Sequence, residues 1–430
     1  MLHVDKVDSL QAEKVHITAS GLKSWTCYKL RMTCQHEFGI HASYGIFKSD
    51  SLGTIDLERD EPVRGTYHGV DPMGLFVSMN PTTDYPYGEM IKCNQGAPYY
   101  YRLQLITDSN EILDHLNLKK HWTHPLITRI NVAQNGFYGT LFKPPGPGPF
   151  PSIIDVPGAN GRLVERTAAA LASEGFLVLT FVYYLQFDDL PQTIPEVDVE
   201  CCQKPVDYLL SLPYSNGKIG LYGLSFGGLL ANFMATKFPQ VSAVVTVNVF
   251  ESWCRDELVM KENGSLIPCD IIDEGVSFWK GGVLGMAPSY RNFYENMKEE
   301  HKLPWNRAPK TTVFRVIACM DDWVMDSLQC ARNIQKDLKG SGHHVEVEVV
   351  PGGHLLNPPN FPHHGYIYNK FQDLIWGLGG DCLMHGRSQE TVWRKNIDFY
   401  KRHLGCPPEI PEWSRLQEVV VPKMQLFSRL

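Results

Sequence analysis

Ile219-Gly220-Leu221-Tyr222-Gly223-Leu224-Ser225-Phe226-Gly227-Gly228-Leu229-Leu230 is the stretch on which the fold turns. Up to Ser225 the run KIGLYGLS is short and apolar, as a buried strand would be. From Phe226 on, FGGLLANFMATKFP has the apolar spacing of a helix. Between the two lies Gly-x-Ser-x-Gly, from Gly223 to Gly227. A serine on a sharp strand-to-helix turn is lifted above the C-terminal edge of a sheet, where α/β folds bind ligands. Such a turn needs small residues two positions before and two after the serine, and glycine meets that need. The stretch therefore reads as a nucleophile elbow. The Phe226 N–H, at the start of the helix, is then placed to meet a developing oxyanion. The competing reading is a Gly-rich turn without chemistry, which is all the pentapeptide by itself would support.

The surroundings repeat the same unit. SIIDVPG and FLVLTFVYY read as strands, with RLVERTAAALASEG between them as an amphipathic helix ending at Gly175. VDVECCQKPVDYLLSLP is helical in period despite Pro205. After the elbow, VSAVVTVNVF, TTVFRVIACM and HVEVEVVPG read as strands. SLQCARNIQKDLKG and TVWRKNIDFYKRHLG read as helices, the latter closing the fold. Repeated βα units imply a doubly wound, mostly parallel sheet, as in an α/β-hydrolase domain. Residues 1–140 differ. WTCYKLRMTCQHEFGIHASYGIF alternates polar and apolar residues, and turn clusters such as KSDSLG and NPTTDYPYGE break the chain at short intervals. That pattern predicts an all-β, immunoglobulin-like sandwich. The run Lys143-Pro144-Pro145-Gly146-Pro147-Gly148-Pro149 suits a connector, because proline cannot feed a central ladder. The expected division is a sandwich domain over 1–140 and a catalytic domain over 141–430.

A serine needs a base, and in this fold the order along the chain is serine, acid, histidine. Asp321-Asp322 follows the strand TTVFRVIACM, and His354 follows HVEVEVVPGG. Both stand where strand-end loops meet above Ser225. Asp322 lies further into its loop and is the expected acid, leaving Asp321 to cap the turn. His343, His344, His363, His364 and His385 compete with His354, but none directly follows a late strand. A second oxyanion donor is expected from Val156-Pro157-Gly158-Ala159-Asn160-Gly161, with Ala159 as the candidate.

Composition bounds the rest. Of 430 residues, 43% are hydrophobic and 20% charged, enough apolar material for a sizeable core. The net charge of −7 argues against a nucleic-acid or anionic-membrane footprint. No apolar run approaches the roughly 20 residues of a membrane span. The 11 cysteines are scattered, and MLHVDKVDSLQAEKV carries no apolar signal region, which points to free thiols in a reducing compartment. Cys201-Cys202 has no Cys-x-x-Cys pair nearby, so no metal site is expected. Ser428-Arg429-Leu430 resembles the Ser-Lys-Leu address read by the peroxisomal import receptor, with Arg429 keeping the cation; the alternative location is the cytoplasm.

With these residues in place, the chain resembles the acyl-CoA thioesterase / bile acid-CoA:amino acid N-acyltransferase family from about residue 15 to about residue 405. HGVDPMGLF, PPGPGPFPSIIDVPGANG, FVYYLQFDDLP, GLYGLSFGG, CMDDW and PGGHLLNPPNFP carry the resemblance, in that order. It implies a β-sandwich joined to an α/β-hydrolase domain, a triad of Ser225, Asp322 and His354, and an acyl-CoA substrate whose CoA is not a separate cofactor. Thioesterases of the family carry Ser at the elbow and the amino acid conjugating enzyme carries Cys, so Ser225 points to hydrolysis. The chain departs from the family at Phe226, where Lys is usual, and in VFESWCRDELVMKENGS, where small residues are usual. The expected activity is release of free acid and CoA through an acyl-Ser225 intermediate. The alternatives are transfer of the acyl group to glycine or taurine, a carboxylesterase or peptidase on the same fold, and a non-catalytic acyl-CoA or lipid binder.

Overall fold

The computed structural model describes residues 1–36, 39–82, 97–134, 136–254, 258–369, 372–413 and 416. The tripeptide Ser428-Arg429-Leu430 lies outside the described residues, as does the turn cluster 80–89 from residue 83 onward.

Alternation of side chains builds the first region. Along Cys27–His36, every second residue is buried, from Tyr28 through Leu30 and Met32 to Cys34. Leu30 faces Leu105, Met32 faces Leu103 and Cys34 faces Tyr101 on the antiparallel neighbour Tyr99–Ile106. The seven-stranded sheet that results meets a three-stranded sheet of Leu2–Val4, Ile17–Ala19 and Ile55–Asp56 across one apolar cluster.

The second region is an eight-stranded sheet in the order Thr128–Gln134, Phe137–Lys143, Leu177–Val182, Phe150–Val156, Ser215–Leu224, Val241–Val247, Val313–Cys319, His344–Val350. The last six are parallel; at the edge Phe137–Lys143 runs antiparallel to them, and Thr128–Gln134 pairs antiparallel to it. Every residue of Phe150–Val156 and Leu177–Val182 is buried, as expected of strands covered on both faces. One face packs on the helices Arg166–Ser173 and Cys382–Leu404, whose Ala168, Leu171, Trp393 and Tyr400 share a cluster with the first region. The other packs on Gln203–Ser211, Phe226–Lys237 and Ser327–Gly340. The chain thus has an α/β fold, doubly wound, preceded by a β-rich region.

The expected boundary at residue 140 is corrected. Phe137–Lys143 pairs with both Thr128–Gln134 and Leu177–Val182, so the catalytic sheet begins by residue 128. Hairpin alternation reads alike in either region, and only the pairing partner tells them apart. The closing helix begins earlier than its periodicity suggests, at Cys382, because the Asp381 carboxylate accepts the N–H groups of Leu383 and Met384. Residues 248–312 form an insertion between two parallel strands. Its strands Phe278–Lys280 and Val283–Gly285 join Leu374–Gly377 and Tyr366–Asn369 in a small sheet. The stretch SFWKGGVLGM supplies two of these strands, and Met286 at its end is buried in the core cluster.

Candidate active site

One residue separates the strand Ser215–Leu224 from the helix Phe226–Lys237, and it is Ser225. Its backbone stands at φ 58°, ψ −127°, a conformation that costs a residue with a side chain on the order of 1–3 kcal/mol. Neighbouring strands hold it there: the Ser225 N–H donates to the Val247 carbonyl at 2.9 Å. The two flanking glycines have separate steric causes. A Cβ on Gly223 would collide with the Gly227 carbonyl. One on Gly227 would lie 2.5 Å from the Val156 oxygen and 3.0 Å from the Pro157 oxygen. Gly227 thus lets the elbow press against the loop 157–161.

His354 Nε2 lies 2.9 Å from Ser225 Oγ, and His354 Nδ1 lies 2.9 Å from Asp322 Oδ2. The structure brings these three expected residues into one hydrogen-bonded file. Both the imidazole and the carboxylate are nearly closed to solvent, at 5% and 1% side-chain exposure. Asp322 is tightly oriented. Its Oδ1 accepts Val324 N–H at 2.9 Å and Met325 N–H at 3.2 Å, and its Oδ2 also accepts the Ser327 hydroxyl. With the Asp322 carboxylate facing Nδ1, that nitrogen carries the imidazole proton and Nε2 is free to accept from Ser225. Asp321 points elsewhere: it accepts Trp323 Nε1–H and Gly380 N–H, each at 2.8 Å, and so fastens the turn at 379–380.

Phe226 N–H belongs to the first turn of its helix, where no intrahelical carbonyl is available. Its ring is buried and meets Trp253 edge-on at 5.8 Å, so the side chain packs inward. In the facing loop, Tyr183 donates to the Gly158 carbonyl at 3.2 Å and Tyr184 to the Ala159 carbonyl at 2.7 Å. With their carbonyls held, the peptides of that loop are fixed against the elbow. Ala159 itself is exposed.

Four supporting residues escaped the reading of the sequence. Ser327 and the two tyrosines look like ordinary helix-start and strand residues. Asn248 is the fourth. It sits at φ 47° just past the strand Val241–Val247, which ends there rather than at Phe250. Asparagine tolerates that conformation. Its amide donates to the Gly353 and His354 carbonyls at 3.2 and 2.7 Å, and its oxygen accepts Cys319 N–H at 2.8 Å. One buried side chain thereby ties the strand end before Asp322 to the loop carrying His354. The only local signal was a polar residue closing an apolar strand. The nearby Cys319 thiol is no rival nucleophile, since burial pushes its pKa up to about 12 against a hydrogen bond with Asn248. Among the described residues no group of three or more His, Cys, Asp or Glu is gathered for a metal ion, and no helix is long and apolar enough to cross a membrane.

A parallel sheet carrying a strained serine at a strand-helix elbow, with a histidine and a carboxylate in line behind it, defines the α/β-hydrolase class. The family follows from comparison with known proteins. The profile "Acyl-CoA thioester hydrolase/BAAT N-terminal region" matches residues 12–134, and "BAAT / Acyl-CoA thioester hydrolase C terminal" matches residues 197–406. The bile acid-CoA:amino acid N-acyltransferase of Mus musculus is 30% identical over 414 residues, covering 93% of this chain and 96% of that protein. Acyl-coenzyme A thioesterase 1 of Mus musculus is 30% identical over 405 residues, covering 91% and 94%. The peroxisomal succinyl-coenzyme A thioesterase of the same organism is 30% identical over 406 residues, with the same coverage. The chain belongs to the acyl-CoA thioester hydrolase / bile acid-CoA:amino acid N-acyltransferase family.

Proposed function

We propose that the chain is a serine acyl-CoA thioesterase that releases a free acid and CoA through an acyl-Ser225 intermediate. The observation that carries this reading is the file Ser225–His354–Asp322 at 2.9 Å per link. In the first half-reaction Ser225 Oγ attacks the thioester carbonyl carbon while His354 Nε2 takes its proton. The N–H groups of Phe226 and Ala159 receive the charge on the carbonyl oxygen. The C–S bond then breaks, His354 returns the proton to the CoA sulfur, and an ester on Ser225 remains. In the second, His354 deprotonates a water, which attacks the ester carbon. The acid leaves and Ser225 recovers its proton. Asp322 holds the imidazole and offsets the charge it acquires in both halves.

Ser225 at the elbow favours water over an amine as the acyl acceptor, since the resemblance associates serine with the family's hydrolases. Transfer to glycine or taurine is the second reading, supported by similarity to the N-acyltransferase. Import into peroxisomes through Ser428-Arg429-Leu430 fits the peroxisomal relative.

The test is to incubate the protein with acyl-CoAs graded in length and branching, with and without glycine and taurine, and to identify the acyl product. Free acid as the product throughout supports the hydrolase reading. Acyl-amide formation moves the chain to the transferases. Hydrolysis of simple esters without any acyl-CoA turnover leaves a carboxylesterase.

A further inference from the structure

His354 sits in a loop with no secondary structure of its own, yet its peptide groups are all engaged. The His354 N–H donates to the Leu378 carbonyl at 2.7 Å, and Asn248 takes the carbonyls of Gly353 and His354. On either side, the Gly353 N–H and the Leu355 carbonyl both meet one side chain, the carbonyl also accepting the Asn357 N–H at 2.9 Å and the Asn357 amide at 3.2 Å. His385 Nδ1 accepts the Gly353 N–H at 3.1 Å, and His385 Nε2 lies 3.1 Å from the Leu355 carbonyl. We infer that His385 is a positioning residue for the reaction: it brackets His354 from both sides and fixes the height and tilt at which that imidazole meets Ser225. This rests on the reading of Ser225 and His354 as nucleophile and base.

The arrangement demands a particular form of the ring. Nδ1 faces an N–H and so must be bare; Nε2 faces a carbonyl and so must carry the proton. Only neutral imidazole in that tautomer satisfies both. Imidazolium would turn a second N–H toward Gly353 and break the bracket. The surroundings enforce neutrality. His385 is 2% exposed, in the first turn of the helix Cys382–Leu404. Burial, with the His363 ring alongside at 4.7 Å, pushes its pKa down to about 3, against a hydrogen bond to Leu355. His363 faces away, its Nε2 lying 2.9 Å from the Gly379 carbonyl. The fit is close on the loop side too. Gly352 stands at φ 143°, and a Cβ there would lie 3.1 Å from His385 Nδ1, so the ring lies directly against the Gly352-Gly353 backbone.

The helix Cys382–Leu404 is also the element that meets the β-rich region. Gly386, next to His385, faces Val77, and Arg387 pairs with Asp71 at 3.2 Å. His385 therefore carries the placement of that helix, and through it the first region, to the base.

The experiment compares three variants in the full chain. His385→Phe keeps a ring and removes both bonds. His385→Asn can keep the bond from Gly353, and His385→Gln the bond to Leu355. Each is measured for kcat and KM with an acyl-CoA that the wild type turns over and for the rate at which a fluorophosphonate labels Ser225. The low-field proton resonance of the His354–Asp322 hydrogen bond is recorded alongside. A displaced base about 1 Å out of place costs on the order of 10²-fold. The expected result for His385→Phe is a loss of that order in kcat and labelling rate, with KM nearly unchanged and the resonance broadened. The Asn and Gln variants should fall between it and the wild type. Wild-type kcat and labelling per folded molecule in all three variants would overturn the inference, even if they melt earlier. Wild-type protein that fails to label at Ser225 would instead sink the nucleophile reading, and this inference with it.

Discussion

Asp321 and Asp322 are neighbours with different tasks. Asp322 is buried and faces His354 Nδ1, whereas Asp321 holds Trp323 and Gly380. Asp322→Asn should lower kcat about 10⁴-fold, because an amide no longer fixes the imidazole tautomer. Asp321→Asn should lower it severalfold at most, through a loosened turn. Equal losses in steady-state thiol release would refute that division. Asp155 gives a second residue-scale prediction. Its carboxyl is buried, and burial pushes its pKa up to about 8, offset in part by the Ala168 N–H and by Arg166. The folded chain therefore keeps a proton that the unfolded chain releases at about pH 4. The stabilisation from this group is complete below that pH and is lost as pH rises through 8. Asp155→Asn cannot ionise, so its urea midpoint should gain on the wild type between pH 6 and pH 9. A difference independent of pH would contradict the assignment. Of the candidate site, Ser225, Asp322 and His354 were legible as candidates because each follows a strand end in the chain order expected of this fold, and the structure places them within hydrogen-bond distance of one another. Asn248, Ser327 and His385 were not legible. Asn248 and His385 act on backbone groups of loops far away in the chain, Ser327 acts on the Asp322 carboxylate five residues back, and nothing in their own neighbourhoods records those meetings.

Elements carry the next level of constraint. The elbow works only because Gly227 lets the helix start approach the loop 157–161. Gly227→Ala would force a methyl group to 2.5 Å from the Val156 carbonyl. The backbone must yield, so we expect a loss of about 1–3 kcal/mol in stability together with reduced kcat. Urea unfolding and thiol-release kinetics check both, and an alanine variant with wild-type values would show that the close approach is not needed. Helices and buried strands were readable as elements because their periods are local. The small sheet from the insertion and the segment 366–377 was not. Its strands are three and four residues long, and they pair across almost a hundred residues. Length and spacing carry no trace of such a partner. That sheet still bears on the site. Phe278 meets Trp323 edge-on at 5.2 Å, and Met286 N–H donates to the Trp323 carbonyl at 2.7 Å, which braces the loop next to Asp322.

At the scale of the whole molecule, the β-rich region is a support for the base. The loop after His354 runs onto it: Phe361 packs against Tyr99 at 5.7 Å and Trp122 at 5.4 Å, with the Arg166 guanidinium 5.5 Å from its ring. Asn360 donates to the Ala12 carbonyl at 3.0 Å, and His363 N–H donates to the Val77 carbonyl at 3.0 Å. Phe361 is fully buried, so Phe361→Ala should cost about 3–5 kcal/mol in urea unfolding. It should also lower kcat, because the anchor of the His354 loop is gone. Loss of stability with unchanged kcat would show that the two regions are coupled in folding but not in catalysis. The two-part organisation was legible from the change of pattern along the chain. The point of change was not, because Thr128–Gln134 and Phe137–Lys143 alternate like sandwich strands while pairing with the catalytic sheet. Outside the described residues, Ser428-Arg429-Leu430 makes a separate prediction. Deleting it should leave a fluorescently tagged chain cytosolic, and unchanged punctate localisation in peroxisomes would refute the address.

The central claim is that acyl-CoA turnover passes through Ser225. Thiol release from the best acyl-CoA substrate, compared between the wild type and Ser225→Ala at matched folded concentration, tests it most directly. The account predicts release by the wild type and only the uncatalysed background from the variant, with the two melting alike. Release by Ser225→Ala at the wild-type rate would contradict it and place the nucleophile elsewhere.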